Sequence, residues 1–276
     1  MRTPLLTSNV LESLLTARRS GLVTLSCSLD LQLSTTDVIL ESDRWVWQQT
    51  RFPYPDRLND RTIYYWSGVD FEPVSRFGGS LIKLVPTEWG PPTFEIDGIK
   101  MLPTQKISPY EDAAGKVKLI QPRGKVVLDC CAGLGYFAAW CQSEGARQVL
   151  SFEKNPDVIW LRSLNPWSPV PDATLSLTHA DITQAVIDIP DASVDAVLHD
   201  PPRFGIAGEL YSQSFYDQLA RVLKFRGRIF HYTGSPNKVS SGRDLAAEVS
   251  RRLQAAGFET RRQGDGILAT KQLRAR

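Results

Sequence analysis

Cysteine is scarce in this chain: four among 276 residues, with Cys130 and Cys131 adjacent, Cys141 ten positions on and Cys27 far away. That spacing gives no disulfide framework and points to a reducing compartment. Histidine is scarcer still, at three, and His179, His199 and His231 fall on different strand-like segments. The cysteine pair lacks C-x-x-C spacing, so metal binding is not expected. No apolar run reaches the roughly 20 residues of a membrane span. The longest, 126–141, is interrupted by Asp129, Gly133 and Gly135. The first residues hold no apolar block followed by a small-residue cleavage site, so a cytoplasmic protein is expected. An excess of one charge is also missing. Lys+Arg at 32 against Asp+Glu at 30 leaves +2, which advertises neither a nucleic acid nor a membrane through a global field. Neither repeats nor low-complexity tracts occur. What is present, 42% hydrophobic and 22% charged residues, is enough to bury a substantial core.

Two textures divide the chain near residue 103. Residues 9–19 carry Val10, Leu11, Leu14 and Leu15 on one stripe, with Asn9 as the expected cap and Glu12 three residues later. Residues 23–31 alternate apolar and polar, the period of a strand with one wet face. Short strands follow at 38–40, 45–48, 62–66, 81–85 and 93–96, separated by Pro- and Gly-bearing turns such as Phe52-Pro53-Tyr54-Pro55. Residues 1–103 therefore read as a small, mostly β domain suited to recognising an acceptor, and 104–276 as a catalytic domain. In the latter, strands at 125–129, 148–152, 174–178, 194–198 and 228–232 alternate with helices at 136–143 and 157–164, one carrying Phe215, Leu219, Val222 and Leu223, and one carrying Leu245, Val249 and Leu253. The finish at 258–262 and 267–271 reads as a hairpin, so an open α/β sheet ending in an antiparallel strand is expected.

In such a sheet ligands bind beyond the carboxyl ends of the strands. The first strand ends in Asp129-Cys130-Cys131-Ala132-Gly133-Leu134-Gly135, a glycine turn that admits a ligand close to the backbone. The second ends at Glu153, where a carboxylate suits two ribose hydroxyls; after the third, Asp181 is placed to accept from an adenine amino group. The same glycines satisfy the dinucleotide pattern G-x-G-x-x-A, so a nicotinamide cofactor and its oxidoreductase chemistry stay in play. Asp129 would repel a pyrophosphate but not the ammonium of a methionine-like tail, which favours S-adenosylmethionine (SAM). The fourth strand ends in Asp200-Pro201-Pro202, one acceptor side chain and carbonyls without neighbouring N–H donors. Acceptors alone suit an amine, held with its lone pair in line with a methyl donor.

These motifs together resemble the class I SAM-dependent methyltransferases, with LDCCAGLGY first and then Glu153, Asp181 and the D-P-P. More narrowly the chain is similar to archaeal-type methyltransferases bearing an H-D-P-P-R-F motif, a likeness also carried by Asn165-Pro166-Trp167-Ser168, by GRIFHYTGSPN and, upstream, by SLDLQLS and EIDGIKM. The resemblance implies a Rossmann-like sheet, SAM as cofactor, Asp129, Gly133, Gly135, Glu153 and Asp181 as its binding residues, and Asp200, Pro201 and Pro202 as the catalytic corner. It does not imply a particular acceptor.

Two features depart from nucleic-acid methyltransferases, the first of them from the amino-methylating enzymes. They follow D-P-P with an aromatic that stacks on a flipped base, whereas this chain has Arg203 and only then Phe204. A uridine C5 mechanism needs a nucleophilic cysteine, and 231–237 contain none. Arg203 would bind an acceptor phosphate or carboxylate, or pair with a neighbouring acid; Phe204, His231 and Tyr232, with His199, are placed either to line the acceptor pocket or to brace its wall. The tryptophans Trp45, Trp47, Trp66 and Trp89 suit a stacking surface or a core. Residues 151–217 carry ten acids and three bases, whereas 243–276 carry eight bases and four acids. The acceptor is therefore an RNA base amino group or a small amine, and the acidic stretch keeps aminopropyl transfer from decarboxylated SAM as an alternative, beside a nicotinamide-dependent oxidoreductase and a SAM-fold binding module without turnover.

Overall fold

The computed structural model describes residues 3–202, 205, 207–234 and 244–273. The chain divides into two compact units, one formed by residues up to Asp112 together with Trp160–Ser168, the other by Ala113–Ile159 with the chain from Pro169 onward.

The first unit is built from short antiparallel strands around one helix, Ser8–Arg19. Thr7, rather than Asn9, caps that helix, accepting a hydrogen bond from the Val10 amide at 3.4 Å. Its buried stripe of Leu11, Leu14 and Ala17 packs in a cluster with Trp45, Phe52 and Phe71. Trp45 stacks on Phe52 with centroids 4.5 Å apart, and Trp66 packs on Phe71 at 5.1 Å. Those two tryptophans are core aromatics, not a stacking surface. The expected strand over 23–31 stops at Thr24–Cys27. Ser28 and Asp30 turn the chain by hydrogen-bonding each other at 2.9 Å, and Leu31 enters the left-handed region at φ 56°. Phe52-Pro53, expected as a turn, instead ends the strand Thr50–Pro53. The reversal lies at Gln48 and Gln49, both at positive φ, which is the two-residue hairpin geometry usually signalled by Asn-Gly.

The second unit takes in α1 (Pro109–Ile120) from Ala113 onward, a helix the sequence pattern did not announce. There follow β1 (Val126–Asp129), α2 (Tyr136–Ser143), β2 (Gln148–Glu153), α3 (Pro156–Leu164), β3 (Leu175–His179), α4 (Ile182–Ala185), β4 (Val194–His199), α5 (Gln213–Val222), β5 (Leu223–Tyr232), α6 (Leu245–Ala255), β6 (Phe258–Gln263) and β7 (Gly266–Lys271). The seven strands form one sheet in the order β3-β2-β1-β4-β5-β7-β6. The strands from β3 to β5 run parallel, and β7 is antiparallel to both β5 and β6. The antiparallel strand thus lies inside the sheet and not at its edge, because the final hairpin folds back between β5 and β6. This is a Rossmann-like sheet whose last strand in the chain runs antiparallel to its neighbours.

Leu128, Val197, Ile229, Ile267 and Ala269 from the strands and Phe215, Leu219, Val249 and Leu253 from the helices belong to one buried cluster. Leu223, expected on α5, begins β5 instead. Arg226 at φ 60° lets the chain bulge, so that Val194 pairs with Leu223 and Ala196 already with Arg228. At the other end of β5, Gly266 faces Tyr232 across the pair with β7. A Cβ there would lie 2.5 Å from the His231 carbonyl oxygen and 2.7 Å from the Phe230 ring, so the approach of the two strands depends on glycine.

Candidate functional site

The strand order reverses between β1 and β4, which makes their carboxyl ends the switch point where ligands bind in open α/β sheets. Asp129 lies level with Ser151 on β2 and with Leu198 on β4. Glu153 and Asp200 therefore each project two residues beyond it, on either side. Cys131 registers the convergence: its thiol is raised well above its ordinary value by burial first, then by Cys130, Glu153, Asp129 and Asp200. A point just past β1 thus feels all three carboxylates.

Each acid is held differently. Asp129 is 1% exposed, and its Oδ2 accepts from the Ser151 hydroxyl at 2.9 Å. Glu153 accepts from the Gly133 amide through Oε2 and from the Asn155 amide through Oε1, both at 2.9 Å. Gly133 and Gly135 stand at φ 49° and 82°, so the turn that presents its amide to Glu153 requires backbone that favours glycine. Asp181 caps α4: Oδ1 accepts from the Thr183 amide at 2.9 Å and hydroxyl at 2.7 Å, while Oδ2 pairs with Lys154 at 2.7 Å. Burial would raise Asp181, but the hydrogen bonds from Lys154 and Thr183 outweigh it and hold the carboxyl below its ordinary value.

The corner after β4 differs most from its expectation. Asp200 Oδ2 lies 3.2 Å from the ammonium of Lys116, with side chains 16% and 9% exposed respectively. That ammonium sits 3.9 Å above the centroid of the Tyr232 ring and 5.6 Å from that of Phe137. The corner therefore holds a donor as well as acceptors. The Pro202 carbonyl is also engaged, accepting from the Tyr211 hydroxyl at 2.9 Å. Lys116 joins this corner without a motif to mark it; Ser108-Pro109-Tyr110-Glu111, a capping-box pattern with proline at its first helical position, was the available signal for its helix.

His231 does not line the crevice. It is fully buried, with Nδ1 at 2.9 Å from the Tyr232 carbonyl and Nε2 at 2.9 Å from the Tyr216 hydroxyl. Its partners require Nδ1–H to donate and Nε2 to accept. His199, level with it on β4, meets it edge to face at 4.4 Å and donates from Nε2 to the Leu210 carbonyl at 3.0 Å. Burial lowers both histidines, His199 to about 4, so both are neutral wall residues at pH 7. Tyr232 differs in being partly exposed, its ring against Lys116. Arg203 and Phe204 lie outside the described residues. Among the described residues no helix is long and apolar enough to cross a membrane, and no group of three or more His, Cys, Asp or Glu side chains is gathered to hold a metal ion.

Comparison with known proteins agrees with this architecture. No protein-family model matches the chain. An uncharacterized protein of Methanocaldococcus jannaschii is 44% identical over 178 residues, 64% of this chain and 61% of that protein. The match thus spans less than two thirds of that relative. Among solved structures, a spermidine synthase in complex with the transition-state analogue AdoDATO superposes with a TM-score of 0.59 at 18% identity, over 71% of this chain and 72% of that one. Spermidine synthase from Thermotoga maritima gives 0.56 at 18%, over 71% of each chain. At that identity the likeness establishes the shared fold.

Proposed function

We propose that the protein is a SAM-dependent methyltransferase acting on a nitrogen acceptor, an RNA base amino group or a small amine. The observation that carries this reading is the convergence of Asp129, Glu153 and Asp200 around the glycine turn at the β1–β4 switch point. Carboxylates grouped at the switch point repel a pyrophosphate even with Asp200 paired to Lys116, so the donor set fits a sulfonium nucleoside better than a dinucleotide. Glu153, oriented by two backbone amides, would take the ribose hydroxyls; the turn at Gly133 and Gly135 lets a ligand approach the main chain; Asp181 would meet the adenine; and Asp129 braces the turn through Ser151. SAM, when bound, supplies a methyl group activated by its sulfonium. Asp200 would accept a hydrogen bond from the acceptor nitrogen and so orient its lone pair, with Pro201 and Pro202 stiffening the corner. Arg203 and Phe204 would extend the acceptor side, and the N-terminal domain, taken as 1–103 beside a catalytic 104–276, would help grip a large acceptor.

The 44% identity to an archaeal protein supports the reading of an archaeal-type family bearing H-D-P-P-R-F, and the enzyme is taken as cytoplasmic. Aminopropyl transfer is the second reading, favoured by the fold shared with spermidine synthase and by the acidic crevice. The deciding experiment offers methyl-labelled SAM and aminopropyl-labelled decarboxylated SAM with fractionated cell extract, and follows which label enters RNA, protein or small molecules. Binding of S-adenosylhomocysteine by calorimetry is expected. Binding of NADH without it would replace the methyltransferase reading by an oxidoreductase.

A further inference from the structure

An acid-rich crevice by itself suits a polyammonium as well as a neutral amine, and the contents of the corner distinguish the two. The Lys116 ammonium already occupies the place beside Asp200 that an acceptor's cationic nitrogen would take. It lies 3.2 Å from the carboxylate and against the ring faces of Tyr232 and Phe137, the surroundings that recognise an alkylammonium. We propose that Lys116 is the specificity-determining residue of the acceptor site: as a built-in cation it excludes polyamines and other charged amines, and it restricts the reaction to uncharged amino groups. This rests on the reading of the crevice as a SAM-dependent transferase site.

The chemistry follows from the pair. A second ammonium at Asp200 would sit within a few ångströms of the first in a poorly hydrated corner, where like charges repel strongly. An uncharged amine meets no such repulsion. Its N–H can donate to Asp200, and the Lys116 ammonium can donate to an acceptor atom next to that amine. A carboxylate and an ammonium side by side thus match an amino group flanked by a ring nitrogen or a carbonyl. The amine also arrives with no ammonium proton to lose before its lone pair becomes available for transfer.

The test titrates spermidine and putrescine by calorimetry into the wild type, Lys116→Met and Lys116→Arg, each with and without S-adenosylhomocysteine. Lys116→Met is expected to bind spermidine at least about tenfold more tightly than the wild type, an advantage that shrinks as salt is raised, whereas Lys116→Arg stays like the wild type. Lys116→Gln makes the same comparison should the methionine variant fail to melt cooperatively. Wild-type protein that binds spermidine as tightly as these variants, or a folded variant that gains no affinity, overturns the proposal. Failure of the wild type to bind S-adenosylhomocysteine would count against the cofactor reading and leave the polyamine comparison to be scored independently.

Discussion

Among the described residues, two aspartates just past the carboxyl ends of strands in the large sheet pair with a lysine, and the two pairs differ in how much water reaches them. Lys154 and Asp181 meet at 2.7 Å with side chains 67% and 26% exposed; Lys116 and Asp200 meet at 3.2 Å with 9% and 16%. Proximity alone would rank the first pair as stronger. Loss of a partner ranks them the other way, because breaking an exposed pair costs about 0–1 kcal/mol whereas taking one partner from a buried pair leaves an uncompensated charge at about 3–5 kcal/mol. The exposed pair can therefore open at small cost, as the proposed adenine contact of Asp181 would need. The buried pair stays closed, which suits Asp200 and Lys116 to act together on whatever enters the corner.

The largest effect is expected from Asp200→Ala. It deprives a nearly buried ammonium of its carboxylate, so urea denaturation should show a loss of about 3 kcal/mol. Methyl transfer should fall by about 10²-fold or more, because the acceptor is no longer oriented. Affinity for S-adenosylhomocysteine should barely change; calorimetry showing the opposite, affinity lost and turnover kept, would assign Asp200 to the cofactor. Acidification probes the same buried side without mutation. His199 is lowered from 6.5 to about 4, so between those values the unfolded chain binds the proton and the native protein does not. Stability thus rises with pH through this window and is lost on acidification from pH 6.5 to 4, by on the order of 3 kcal/mol. His231, lowered in the same direction, adds to the slope. Denaturation at pH 7 and pH 5 measures it, and His199→Gln should flatten it.

Glu153→Ala comes next, removing the acceptor of two backbone amides and of the proposed ribose contact. It should weaken S-adenosylhomocysteine binding about tenfold to a hundredfold. Lys154→Ala should do least. A stability change below about 1 kcal/mol, vanishing at high salt, is expected by denaturation. A larger and salt-resistant loss would erase the distinction between the two lysine pairs.

The difference between these pairs also marks what could be read from the sequence. The alternation of strands and helices, the final hairpin and the positions of Asp129, Glu153, Asp181 and Asp200 at strand ends all follow from local patterns: apolar runs of strand length, glycine turns, and acids placed where a strand stops. Lys116 carries no such mark. It lies 84 residues before its partner, on a helix whose buried positions include the small side chains of Ala113 and Ala114 and which contains Gly115, so the apolar stripe is faint. For His231 the strand-end position left pocket lining and wall bracing both open; what decides for the wall is Tyr216, whose hydroxyl reaches it across the helix–sheet interface. In the first unit the hairpin at Gln48-Gln49 escaped notice because glutamine adopts positive φ there without the residues that usually announce it.

Gly266 ties the end of the chain's last hairpin to the aromatic ring that faces Lys116. Because a methyl group at that position would collide with the main chain of His231, Gly266→Ala would push against the neighbour of Tyr232 from behind. The position of the Tyr232 ring, and with it the surroundings of the Lys116 ammonium, thus depends on a strand residue that has no side chain of its own.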